Sequence, residues 1–228
     1  MIETKTESNR KTWMLRAAII AAGLAAWFWT QSLISKRGFP EGVIGDNLHE
    51  LTAPLNAYLL HHTSLTNALL IVSSAFIDLF AIFLLVRAIF GPTIRPFLGL
   101  FLLFALRQLC QAFVALPQPP DMIWHYPGFP SLLVTYGVSN DFFFSGHTSV
   151  AVYGAYEISR LRHKWLTVAA ICIVVFEMIT VLTLRAHYTM DVFAAAATAL
   201  LIGILAERIA PRVDRLLAHI QSKRTTHL

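Results

Sequence analysis

The chain predicts an all-α integral membrane bundle of six transmembrane helices with both termini in the cytoplasm, and three observations carry that expectation. Of its 228 residues 56% are hydrophobic and 14% charged, whereas a soluble globular domain carries nearer ~25% charged residues. The apolar residues fall in runs of about membrane-spanning length, roughly 20 residues. Most of those runs lack the polar face at helical period that a large soluble helical core would show. One transmembrane domain covers 1–228, with polar tails at 1–12 and 211–228.

The spans fall at 14–33, 66–90, 96–116, 142–161, 166–184 and 190–209. The first has the basic front of a secretory signal (Lys5, Arg10, Lys11, Arg16), but its run is long and no small-x-small cleavage site follows, so it reads as a retained anchor. Six spans put both ends on one side. Fourteen of the Lys and Arg residues gather there: these four, Arg87 and Arg95, Arg160, Arg162 and Lys164, and Arg208, Arg212, Arg215, Lys223 and Arg224. The opposite side holds Lys36, Arg37 and Arg185. The excess places both termini in the cytoplasm.

The loops expected outside the cytoplasm are the long ones. In 34–65 an apolar stretch, 51–60, suits a helix lying along the interface. Loop 117–141 has no Lys or Arg and is rich in Pro, Gly and aromatics, including Trp124 and Tyr126, which suits an ordered lid at headgroup level or a plain interfacial anchor. Cys110 and Cys172 both sit in apolar runs and read as buried thiols. The net charge of +5 comes from span ends, which implies topology and anionic-lipid contact, and no nucleic-acid motif is present.

Two polar segments stand out, both expected on the non-cytoplasmic side: Asn140-Asp141-Phe142-Phe143-Phe144-Ser145-Gly146-His147-Thr148, opening the fourth span, and Arg185-Ala186-His187-Tyr188-Thr189-Met190-Asp191, opening the sixth. A helix N-terminus offers unpaired N–H groups and partial positive charge, so two that face each other make a phosphate pocket. Ser145 is placed as an N-cap. His187 and Asp191, four apart, share a helical face. The carboxylate there binds one ring N–H and leaves the other nitrogen's lone pair free to attack. His147, from another span, is placed to protonate a leaving oxygen. His49, His61, His62 and His125 read as polar trim.

Phe144-Ser145-Gly146-His147-Thr148 and His187-Tyr188-Thr189-Met190-Asp191-Val192 resemble the two signature segments of sphingomyelin synthases and related sphingolipid synthases, within the type-2 phosphatidic acid phosphatase superfamily. Arg107 with Leu116-Pro117 resembles a further segment of that subfamily. Asp141, six before His147, stands where it has an acidic residue, and Arg185 resembles an Arg of the inositol-phosphorylceramide synthase branch. The resemblance spans about 107–209. It implies a metal-free, cofactor-free, two-step transfer in which His187 forms a phospho-histidine, Asp191 orients it and His147 moves the proton. A phospho-headgroup passes from a membrane phospholipid to a lipid alcohol such as ceramide or diacylglycerol. Substrate contacts are expected from Arg107, Asp141, Ser145, Gly146, Arg185 and Tyr188.

Plain phosphatases of the superfamily carry a Lys before an Arg-Pro pair, and an Arg six residues before the second His. Here Arg95-Pro96 lies on the wrong side of the membrane, and the second position is Val181. Both departures favour the synthase branch over the alternative, hydrolysis of a lipid phosphate. Arg107 lies roughly 14 Å below the outer interface at 1.5 Å per residue, where an unpaired charge is costly. With Asp78 and Glu177 at similar depth it reads either as a structural ion pair, as part of a transporter's charge path, or as a phosphate-facing Arg. The transporter and a catalytically dead scaffold both leave the two His segments idle, and a metal site lacks a tight ligand cluster.

Overall fold

The structure, a computed structural model, describes residues 2–35, 42, 44–136 and 142–225. Among these residues the chain forms seven helices and no strand: α1 (Ile2–Ser35), α2 (Asn47–Leu60), α3 (Thr63–Phe90), α4 (Arg95–Phe113), α5 (Gly146–Ser159), α6 (Lys164–Thr183) and α7 (Thr189–Thr225). Five of them, within Asn9–Leu33, Thr63–Phe90, Arg95–Phe113, Lys164–Thr183 and Thr189–Ile220, are long and apolar enough to cross a membrane. The chain is an all-helical, multi-pass integral membrane protein by length and composition.

The fourth expected span, 142–161, is shorter than expected. Helix α5 has 14 residues, about 21 Å at 1.5 Å per residue, against a hydrocarbon core of ~30 Å. It need not match the lipid, because it meets little of it: α3, α4, α6 and α7 all pack on it, and Ser149, Val150, Ala151, Val152, Tyr153 and Ala155 are all buried. Small residues let the neighbours close in. A Cβ on Gly154 would run into the Phe80 ring of α3, and one on Gly99 of α4 into Tyr153.

Side-chain contacts show how the helices alternate. At one end Arg95 grips Glu157 through two hydrogen bonds of 3.0 and 2.7 Å. Arg160 pairs with Glu207, and Arg16 donates to the carbonyl of Gly91 at 2.5 Å. This basic end gathers the start of α1 with the C-terminus of α3, the N-terminus of α4 and the C-terminus of α5. The opposite end gathers the N-termini of α3, α5 and α7 with the C-termini of α4 and α6, and α2 caps it. Helix α2 includes the stretch expected at the interface. His49, Asn56 and Leu59 face inward, while Leu51, Leu55 and Tyr58 stay exposed.

Two expectations change. Residues beyond 209 do not leave the bundle, since α7 runs on through Pro211. Asp214 there accepts from the Ile94 amide at 3.0 Å and the Thr93 hydroxyl at 2.6 Å, closing the start of α4. Leu217 packs with Ile20, Ile94 and Phe97. Charges on this segment hid an inward face. Of the thiols, both free, Cys172 points outward from α6 and only Cys110 is partly covered. Gly154→Ala should test the central place of α5. It forces a methyl against Phe80 and should cost about 1–3 kcal/mol, read as a lowered Tm in detergent or lipid discs. An unchanged Tm would mean that the α3–α5 seam is looser than described.

Candidate active site

The chain between α6 and α7 reverses in a few residues. Arg185 adopts a left-handed backbone (φ 53°), and the Ala186 amide reaches back to the Val181 carbonyl at 2.9 Å. A non-glycine residue there carries roughly 1–2 kcal/mol of strain, which persists only when its surroundings hold it. They do: the Arg185 guanidinium donates to the carbonyl of Pro120 (3.0 Å), the carboxylate of Asp121 (3.1 Å) and the carbonyl of His49 (3.4 Å). The turn leaves His187 just before α7, buried and facing α5.

His187 Nδ1 lies 2.9 Å from the carbonyl oxygen of Phe142. A carbonyl only accepts, so Nδ1 carries the proton and Nε2 is left with its lone pair. Asp191 was expected to take that N–H. Its Oδ2 stands 3.7 Å from Nδ1, beyond hydrogen-bond length, and accepts instead from the Tyr188 amide at 2.9 Å. Tautomer control thus falls to a backbone carbonyl, and Asp191, fully buried, supplies negative charge beside the ring and closes the first turn of α7. The two helix starts are joined directly, since the Ser145 amide donates to the Asp191 carbonyl at 3.2 Å.

Ser145 caps α5 as expected, its hydroxyl accepting from the Thr148 amide at 3.3 Å. His147 follows in the first turn, buried, with Nε2 unpartnered among the described residues and its ring edge-on to Trp124 at 5.2 Å between centroids. Arg107 is buried and donates through Nε to the Phe144 carbonyl at 2.8 Å. A Cβ on Gly146 would stand 3.6 Å from that Nε, so the glycine keeps the guanidinium's flank open. Arg107, Phe142, Gly146, His147 and His187 line one cavity of about 580 Å³ including its open mouth.

The loop expected as a lid forms another wall. Trp124, Leu133, Val134 and Thr135 line the cavity, and the Trp124 indole donates to the Thr135 carbonyl at 3.2 Å. Asp78 pins this loop: its carboxylate accepts from the Ser131 hydroxyl and the Leu132 and Leu133 amides at 2.8–3.1 Å. Glu177 Oε2 accepts from Ser73 at 2.7 Å. Neither carboxylate is spent on Arg107 in these bonds.

Arg185 and Tyr188 sit outside the cavity lining. Tyr188 is buried under the lid, its hydroxyl donating to the Pro117 carbonyl at 3.1 Å. Asp141 lies outside the described residues. His49 was misjudged as trim. It is buried, its Nε2 donates to the His187 carbonyl at 2.9 Å, and its ring stacks on Tyr188. Nearby Asp46 caps α2 and accepts from the Thr189 amide and hydroxyl, each at 2.6 Å, and Asn56 donates to the Thr183 carbonyl at 2.9 Å. Helix α2 therefore clasps the turn that carries His187. Nothing in the spacing of His49 announces this; the contact is 138 residues long.

With that geometry in view, comparison with known proteins gives the class: a family model described as AtPDCT1/2 matches residues 46–208. The chain belongs to this family of lipid phosphotransferases, which takes its name from phosphatidylcholine:diacylglycerol cholinephosphotransferase. No curated protein and no solved structure matches. The sphingomyelin synthase branch is not the family found, although both are lipid phosphotransferases.

His49→Phe, which keeps the ring and loses the donor, should lower turnover about five- to tenfold, the worth of one hydrogen bond of ~1 kcal/mol. His49→Gln should lose less, and a phenylalanine variant at full rate would free His49 of any role. Burial pushes Asp46 up, but the Thr189 hydroxyl and amide, His49 and the Leu48 amide outweigh it and hold the carboxyl below its ordinary range. A lowered folded pKa gives stability that is complete above the unfolded value, ~4, and lost as pH falls through the folded one. The Tm gap between wild type and Asp46→Ala should therefore be wide at neutral pH and shrink below pH ~4; a constant gap would assign it to packing.

Proposed function

We propose that the chain moves a phosphocholine-type headgroup from a glycerophospholipid to a lipid alcohol of the diacylglycerol type, through a phospho-histidine at His187. One observation supports this most: two histidines from facing helix starts line a single cavity with Arg107, one with Nδ1 protonated and the other with a buried Nε2. Family membership supports the substrate class.

In the first half-reaction, His187 Nε2 attacks phosphorus, the bond from phosphorus to the glyceride oxygen breaks, and His147 gives that oxygen a proton. In the second, His147 takes the proton from the incoming hydroxyl, the hydroxyl oxygen bonds to phosphorus and the N–P bond breaks. Arg107 and the amides at the starts of α5 and α7 offset charge on the phosphoryl oxygens. Asp141 joins them as a substrate contact, while Arg185 and Tyr188 act by holding the turn and lid. The excess of Arg and Lys at the opposite end supports a site on the non-cytoplasmic face.

The wall from Trp124 to Thr135 and the buried Phe142 restrict water, which favours transfer over hydrolysis. The test is purified protein in vesicles with headgroup-labelled phosphatidylcholine, with and without diacylglycerol or ceramide. New labelled phospholipid should exceed free phosphocholine when diacylglycerol is present. Only free headgroup or free phosphate, whatever alcohol is offered, would make it a phosphatase. His187→Ala should abolish both products, Asp191→Asn should slow turnover at least tenfold, and chelators should leave it unchanged. Loss on chelation with recovery on added zinc would overturn the mechanism.

A further inference from the structure

Helix α1 lies outside the residues matched by the family model, 46–208, yet it forms part of the catalytic cavity. Its inward stripe, Arg16, Ile20, Gly23, Trp27 and Gln31, follows the helical period. Trp27 and Gln31 line the same cavity as His147 and His187. Gln31 is buried and accepts from Gln108 at 2.9 Å, and Trp27 packs on Phe104 with centroids 4.5 Å apart. The indole Nε1–H of Trp27 is buried and has no hydrogen-bond partner among the described residues.

A buried donor without an acceptor is costly, and such groups in native proteins call for an explanation. Position suggests one. Phe104 precedes Arg107 by about one turn of α4, so Trp27 lies ~5 Å deeper in the bundle than the guanidinium beside Gly146. Walls at that level are apolar: Ile77, Phe104 and Val150. A charged headgroup has nothing to bind there. The glyceride part of a lipid does, because its acyl ester carbonyls sit a few atoms below the oxygen that reacts at phosphorus, and a carbonyl is the acceptor that a neutral N–H fits.

We infer that Trp27 marks a glyceride subsite, its indole N–H donating to an acyl ester carbonyl of the lipid whose hydroxyl oxygen is transferred to or from phosphorus. The inference rests on the transfer reaction proposed above. Because leaving and incoming glycerides take the same place in a two-step exchange, the contact serves donor and acceptor alike. It also makes the carbonyl a point of discrimination: a site with a buried donor rejects a ligand that lacks the acceptor.

The experiment pairs a protein change with a substrate change, so that their coupling isolates the contact. Wild type should show a KM for diacylglycerol about five- to tenfold below that for an ether-linked dialkylglycerol of equal chain length, the worth of one hydrogen bond. Trp27→Phe, which keeps an aromatic ring against Phe104, should raise the ester KM to the ether value, leave the ether KM in place and hold saturating kcat within about twofold. A variant that shifts both substrates equally, or neither, overturns the assignment. Independently of turnover, a diacylglycerol with a photoactivatable group near the glycerol should label residues 22–33 in wild type and in inactive His187→Ala. Labelling confined to other helices overturns the subsite. Labelling of α1 by a wild type that transfers no headgroup to any lipid alcohol sinks the proposed reaction and leaves the subsite standing.

Discussion

The hydrogen bond from His187 Nδ1–H to the Phe142 carbonyl is the constraint on which the site depends. It fixes a tautomer, and it ties the turn before α7 to the segment before α5. That short segment is used from every side. Its Phe142 carbonyl accepts from His187, its Phe144 carbonyl from Arg107, and its Ser145 amide donates to the carbonyl of Asp191. A residue shifted in this backbone would displace His187, Arg107 and the start of α5 together. The same three bonds bring the dipoles of two helix N-termini to one cavity. That is a repulsive arrangement on its own and a favourable one around an anion.

Polar groups elsewhere at this end are spent on holding that geometry. Asp78 binds two amides and a hydroxyl of the lid, Arg185 binds lid and α2, and Asp46, His49 and Asn56 bind the ends of α6 and α7. Each would be expensive in a low-dielectric interior if left unpaired. Satisfied by backbone groups of loops, they make irregular chain behave as a rigid wall, as the proposed transfer requires of its pocket.

Periodicity and charge made the helices legible, because a lipid-facing helix has to be apolar over its length and its ends collect basic residues. The same rule made α5 longer than its 14 residues, a shortness its neighbours permit, and it misread the end of α7, whose charged surface hides Asp214 and Leu217 at work on α4. At the site, Ser145, His147 and His187 were legible because a cap and helix-start histidines carry local signals. His49 was not, since a hydrogen bond to a carbonyl 138 residues away leaves no mark on spacing. Arg185 was legible as important but not in its manner of acting. A left-handed backbone at an arginine has no sequence signature of the kind a glycine gives.

Asp191 shows how the site separates orientation from stabilisation. With the ring aimed by Phe142, the carboxylate is free to act as charge alone. Its Oδ2 caps the Tyr188 amide, and its buried Oδ1 has no partner among the described residues. In the proposed reaction, attack by Nε2 leaves positive charge on an imidazole that keeps its Nδ1 proton, and Nδ1 stands 3.7 Å from Oδ2. Unit charges about 4 Å apart attract by ~4 kcal/mol at an effective dielectric of 20. A neutral imidazole feels little of this. The attraction grows as the N–P bond forms, so it lowers the barrier and does not merely tighten the resting state. A carboxylate hydrogen-bonded directly to Nδ1 would already have spent part of that interaction on the neutral ring. The longer contact in this structure leaves more of it for the transition state.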